Sequence, residues 1–254
     1  VSAARWTPPR FLYHGTSEAA ARRAVAEGLR PRGADRPGNW GGEVESNPEC
    51  VYLTDVYGPY FASHAASGDE RWAVLEIDRR RIDRGLLRPD EDCMEQGRRG
   101  LDPEPLRSLP MVARTRHYRE RMDAFAYFWP NSLRALGTCG YRGTVPPGAI
   151  ARVALYDPRA GSPVATGAID PTITLMNHAL CARKYSALTR WFLGDPANVE
   201  EFLMFDTLAP EHRALLAEQI TVAAAALANR RGLEVLARPR AGWLVAVWPE
   251  PAVA

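Results

Sequence analysis

The chain has 254 residues, 46% of them hydrophobic and 24% charged, which suits one large domain or a core domain with an appendage. A net charge of +2 argues against a protein whose main task is coating duplex DNA, which needs a large basic face, but not against an enzyme that grips a few phosphates. The positive charge is nearly all arginine, with Lys184 the only lysine; base composition alone produces such a bias, and arginine is also the better residue for bidentate phosphate contacts.

Residues 11–13 predict a short strand that stops on His14 and turns through Gly15. Ser17 suits an N-cap, and Ala20, Ala21, Ala24 and Val25 form the apolar stripe of a helix over 18–27. Gly28 suits the left-handed position that closes it. Residues 31–50 are rich in glycine and proline, without periodicity and with Trp40 in the middle. So long a loop in a compact domain is often a functional lid.

A strand is expected over 51–55 and a helix over 57–67, where His64 reads as a surface or packing residue. A third strand over 72–77 ends in Arg79-Arg80-Arg81, read as a solvated strand end. Asp90, Glu91, Asp92 and Glu95 form an acidic cluster that can cap a helix; a general-base or metal role is the sharper alternative, and no regularly spaced histidine accompanies it. Tyr118, Met122, Phe125 and Trp129 recur at helical spacing over 115–136, with Pro130 expected to kink that helix or divide it into two. Two strands over 140–145 and 149–156 read as joined by a tight Pro-Pro-Gly turn. Beyond 157 a linker-like run leads to helices over 172–193, 199–205 and 210–231, then candidate strands over 233–236 and 243–247.

The four cysteines are far apart with no Cys-x-x-Cys pair, so no metal is expected. No apolar run reaches the roughly 18 residues of a membrane span, and the N-terminal residues lack the regions of a signal peptide. The expectation is a soluble protein of the reducing cytoplasm, without a membrane partner.

Two motifs, Leu12-Tyr13-His14-Gly15-Thr16 and Val51-Tyr52-Leu53-Thr54, with Gly28-Leu29 closing the helix between them, give residues 10–157 a pattern that resembles the ADP-ribosyltransferase superfamily. That superfamily includes the diphtheria-toxin-like and poly(ADP-ribose) polymerase enzymes, the RNA 2′-phosphotransferases and the DarT-type toxins. The resemblance implies an α+β fold: a split mixed β-sheet core with helices over 1–157 as an NAD-binding domain. Residues 158–254 would add a mostly helical extension. It implies NAD as co-substrate, His14 on the nicotinamide-side ribose, the Gly15 backbone on the nicotinamide amide, Thr16 in support, Tyr52 stacked on the ring, and the Trp40 loop over the adenosine half.

The implied chemistry breaks the nicotinamide–ribose bond through an oxocarbenium-like state. A nearby negative charge stabilises that state, and a general base deprotonates the acceptor where needed. The superfamily's usual late-strand glutamate is absent from Tyr141-Arg142-Gly143-Thr144. Either the acid comes from elsewhere, with Glu91, Asp92, Glu95 and Glu76 as candidates, or Arg142 acts as in the RNA 2′-phosphotransferases, or the chain is a non-catalytic NAD-binding or partner-binding module. Without the resemblance, His14 reads as a histidine bonded to a backbone carbonyl and Tyr52 as a half-buried strand tyrosine. The implied partner is a macromolecular acceptor, with nucleic acid a candidate. A toxin or defence role would add an antitoxin or other protein partner.

Overall fold

The computed structural model describes residues 6–34, 46–66, 70–98, 102–156, 193, 233–237 and 246–247. They build an α+β protein whose chain divides into two compact units interleaved in sequence. One gathers the described residues up to Leu12, Glu27–Asp55 and Asp78–Ala149; the other gathers Tyr13–Ala26, Val56–Ile77 and the described residues from Ile150 onward.

The first unit contains β2 (Cys50–Thr54), β4 (Leu87–Pro89), α3 (Glu91–Arg98), α4 (Glu104–Arg107), α5 (Met111–Arg119), α6 (Trp129–Leu136) and β5 (Thr138–Arg142). Strand β5 is central, antiparallel to β2 on one edge and to β4 on the other. Leu53, Leu87, Met94, Tyr118, Leu133 and Cys139 are each at most 1% exposed and form its core. A buried side chain of leucine size contributes roughly 1.5–3 kcal/mol.

The helix expected over 115–136 is instead α5, a set of turns with a 3-10 turn at Ala126–Phe128, and α6. Of the two outcomes expected at Pro130 the division into two helices holds: Trp129 begins α6 and Pro130 follows it, because the first helical turn does not need the amide that proline lacks. Trp129, Met122 and Tyr118 of the predicted stripe are buried all the same. Gly137, at φ 74°, closes α6.

The second unit contains α1 (Glu18–Glu27), α2 (Gly58–Ala65), β3 (Trp72–Asp78, through Ile77), β6 (Ile150–Tyr156), β7 (Leu233–Ala237) and β8 (Ala246–Val247). The strands run in the order β3-β6-β7-β8, every pair antiparallel. These five pairings are all antiparallel, where a mixed sheet was expected. The two terminal strand predictions are met by β7 and β8, which extend β6. Glu76, 2% exposed, faces Arg152 across the β3–β6 ladder at 2.8 and 2.5 Å, and Arg152 also donates to the Leu193 carbonyl at 2.8 Å. The helices expected over 172–193, 199–205 and 210–231 lie outside the described residues, apart from position 193.

Three further expectations change. The strands flanking the Pro-Pro-Gly segment are not a hairpin: both edges of β5 are taken by β2 and β4, while β6 pairs with β3 and β7. The linking residues instead pair Leu29 with Val145 and form a 3-10 turn at Pro147–Ala149. The Arg79 end of the basic run is not simply solvated. Its guanidinium donates to the carbonyls of Pro9 and Pro8 at 2.8 and 3.1 Å and lies 5.7 Å from the Trp129 ring centre.

The third change concerns β1 (Phe11–Ser17), which does not stop at His14 and has no turn at Gly15. A Cβ on Gly15 would lie 2.2 Å from both the Ala62 amide nitrogen and the Gly58 carbonyl oxygen. Glycine is needed there so that α2 can press its backbone onto the strand. The turn comes later, where the Ser17 hydroxyl accepts from the Ala20 amide at 3.4 Å and caps α1 as predicted. Gly28, at φ 93°, ends that helix in the left-handed conformation.

Candidate functional site

Strand β2 alternates. Val51 and Leu53 point to one face and are 3% and 0% exposed, so Cys50, Tyr52 and Thr54 point to the other. Tyr52 stands opposite Gly140 of β5. A side chain at Gly140 would meet Met122 at 3.1 Å and Cys50 at 3.4 Å, so this glycine makes room for the groups around the tyrosine.

The Tyr52 hydroxyl is fixed from two sides. It accepts from the Asn47 amide at 2.9 Å and donates to the Glu91 carboxyl, whose oxygens lie 2.7 and 2.6 Å away. The Asn47 side chain contacts the Met122 sulfur at 3.3 Å. Burial and the neighbouring Glu91 hold the Tyr52 phenol well above the usual tyrosine range, so it stays a donor.

Glu91 opens α3, and Asp90 precedes it as the cap. The Asp90 carboxylate accepts from the Asp92 amide at 3.0 Å and from the Thr138 hydroxyl at 2.8 Å. Ser132 ties the same point to α6, accepting from the Asp90 amide at 2.9 Å and donating to the Thr138 carbonyl at 2.8 Å. The carboxylates of Asp90 and Glu91 are 9% and 4% exposed as residues, and no ion pair reaches either among the described residues. Burial, then the charge of Asp90, push the Glu91 carboxyl up to about 8; burial raises Asp90 as well. Two carboxyls kept from water without a cation favour their protonated forms.

The other predicted acids have different surroundings. Glu95, one turn along α3, is 5% exposed and accepts from Arg114 of α5 at 2.9 Å from Nε and again from Nη2. Glu76 is engaged by Arg152, as described above. Asp92 is exposed and lies beside this cluster. Arg142 ends β5 with its guanidinium on Glu49 at 2.5 Å and on Asp123.

His14, Gly15 and Thr16 lie on β1 in the second unit; His14 is half-buried and Thr16 is 7% exposed. Tyr52, Glu91, Asp92, Glu95 and Arg142 belong to the first. Trp40 lies outside the described residues. Of the predicted site residues, hydrogen bonding joins Tyr52 to Glu91, while Glu95 and Arg142 are engaged elsewhere.

Sequence reasoning missed Asn47, Arg88, Asp123 and the Ser132–Thr138 link. Only the Pro89-Asp90-Glu91 junction carried a signal, because a carboxylate after a strand-ending proline marks a helix start. Asn47 sits in an aperiodic loop, and the remaining contacts are long in sequence.

No protein-family model matches this chain, and no curated protein matches it. Among solved structures, a chain named EcPltA matches with a TM-score of 0.34 and 14% identity, over 60% of this chain and 79% of that one; a likeness of that size decides neither fold family nor activity. No described helix is long and apolar enough to cross a membrane.

Proposed function

We propose that the chain is an NAD-dependent ADP-ribosyltransferase, transferring ADP-ribose to a macromolecular acceptor with release of nicotinamide. The observation that carries this reading is the Tyr52–Glu91 pair. The tyrosine of the second motif is held by a buried carboxyl that no cation neutralises among the described residues, and perturbed acids of this kind mark functional sites. In this reading α3 provides the carboxylate that the late strand lacks, and of the candidate acids Glu91 is the one bonded to Tyr52.

NAD supplies the glycosidic bond whose cleavage frees nicotinamide. Tyr52 fits a planar ring: it is half-buried and its hydroxyl is immobilised by Asn47 and Glu91. Glu91, once ionised, places a negative charge where positive charge develops, or takes the proton of the acceptor. His14 orients the substrate ribose, with Thr16 in support. Gly15 contributes backbone only, since the space its side chain would fill belongs to α2.

The test is incubation of purified protein with labelled NAD and separate DNA, RNA and protein pools. The expected result is nicotinamide release, label retained by one pool, and loss of both on His14→Ala. A protein that neither binds NAD nor releases nicotinamide with any pool is not this enzyme.

A further inference from the structure

A cleft of about 280 Å³ opens on the first unit, lined by Arg88, Arg119 and Arg142 with Glu49, Glu120 and Asp123. The three guanidiniums come from three separate elements, β4, the last residue of α5 and the end of β5, in a chain whose net charge is only +2. The charges balance in number but not in placement. Arg88 is anchored from the protein side: its side chain is 11% exposed, and Nη1 donates to the carbonyls of Gly85 and Leu87 at 2.6 and 2.9 Å. The acids sit outside, with Asp123, Glu120 and Glu49 side chains 53%, 58% and 60% exposed.

Asp123 bridges Arg88, at 2.6 Å, and Arg142, while Glu49 takes the other end of the Arg142 fork at 2.5 Å. Exposed pairs of this kind hold weakly, because water and salt screen them. A phosphate accepts from several forked guanidiniums at once, through stronger charge-assisted bonds.

We propose that this cleft binds a phosphate group, of a nucleotide or of a nucleic-acid strand, on Arg88, Arg119 and Arg142, with Asp123 and Glu49 as the exposed carboxylates it displaces. The arginines are the receptor, and the acids keep it folded and neutral until the anion arrives. The inference goes beyond the transferase reading, since anion binding needs no turnover of NAD.

Calorimetric titration of the full chain at low salt tests it, with inorganic pyrophosphate in one arm and a single-stranded DNA octamer in the other. Saturable binding is expected in at least one arm, weakening as salt is raised. Arg142→Gln and, separately, Arg119→Gln should each weaken it by about tenfold, one charge-assisted contact. Asp123→Asn should tighten it severalfold, because it removes the competing carboxylate. Pyrophosphate without the octamer assigns the site to a small nucleotide, and an octamer that binds more tightly assigns it to a strand. The proposal is overturned if neither anion saturates, or if Asp123→Asn weakens binding while both arginine variants, folded by their melting curves, leave it unchanged. That last result would make the network a structural clasp. Because the titration contains no NAD, its failure leaves the transferase reading standing, and its success does not support that reading.

Discussion

Glu91 and Glu95 lie one turn apart on α3 and are almost equally buried, at 4% and 5%, yet the protein holds them in opposite ways. Glu95 faces Arg114, whose guanidinium also reaches the Leu109 carbonyl. Glu91 faces a tyrosine hydroxyl and lies beside a second buried acid. The first arrangement compensates a buried charge and fastens α3 to α5. The second gives the carboxyl no ion pair among the described residues, a cost that packing alone gives no reason to bear. The same division separates Glu76, paired with Arg152, from Asp90, whose carboxylate partners among the described residues are a hydroxyl and an amide.

The largest expected effect is on the compensated side. Glu95→Gln strands the Arg114 guanidinium in the interior and should cost about 3–5 kcal/mol, read by urea denaturation. Glu91→Gln should cost about 1 kcal/mol or less, since the amide oxygen still accepts from Tyr52. If the two variants lose equal stability, the comparison fails.

Gly15→Ala comes next, at about 2–3 kcal/mol from overpacking against α2, seen as a lower melting temperature without any NAD present. The motif glycine would then be structural in origin, and lost activity in that variant would say nothing about substrate contact. Tyr52→Phe should cost about 1–2 kcal/mol, because it leaves the Asn47 amide and the Glu91 carboxyl without their shared partner.

The smallest effect is a slope. Folded, Glu91 keeps its proton up to about 8, against 4.5 for an unperturbed glutamate. Between those values the folded state binds more protons than the unfolded state, so stability falls as pH rises through that window. Glu91→Gln should flatten the slope in melting temperature against pH, leaving the part due to Asp90, Asp92 and Asp55, which burial also raises.

Local signals were legible in the sequence. The Ser17 cap, Gly28, the apolar stripe of α1 and the strands around Tyr52 and Leu75 follow from rules that span a few residues. What could not be read depends on distant partners. Gly15 looked like a turn because its steric reason, α2, lies more than 40 positions along the chain. Pro130 marks a break in the pattern over 115–136, but nothing near it says whether that break is a kink or the start of a second helix. Glu91 and Glu95 were indistinguishable in the acidic run, since what separates them is the arginine at 114 and the tyrosine at 52. Arg142 was singled out for standing at the missing acid's position, and its partners Glu49 and Asp123 are 93 and 19 residues away.

The central claim, that Glu91 is the working carboxylate, is tested most directly by the rate of nicotinamide release from NAD as a function of pH, for the natural chain and Glu91→Gln. The account predicts a rate that rises as pH passes through about 8, where Glu91 ionises, and a loss of about 10²–10⁴-fold in the variant, without that rise. A variant that keeps both the rate and its pH dependence would contradict it.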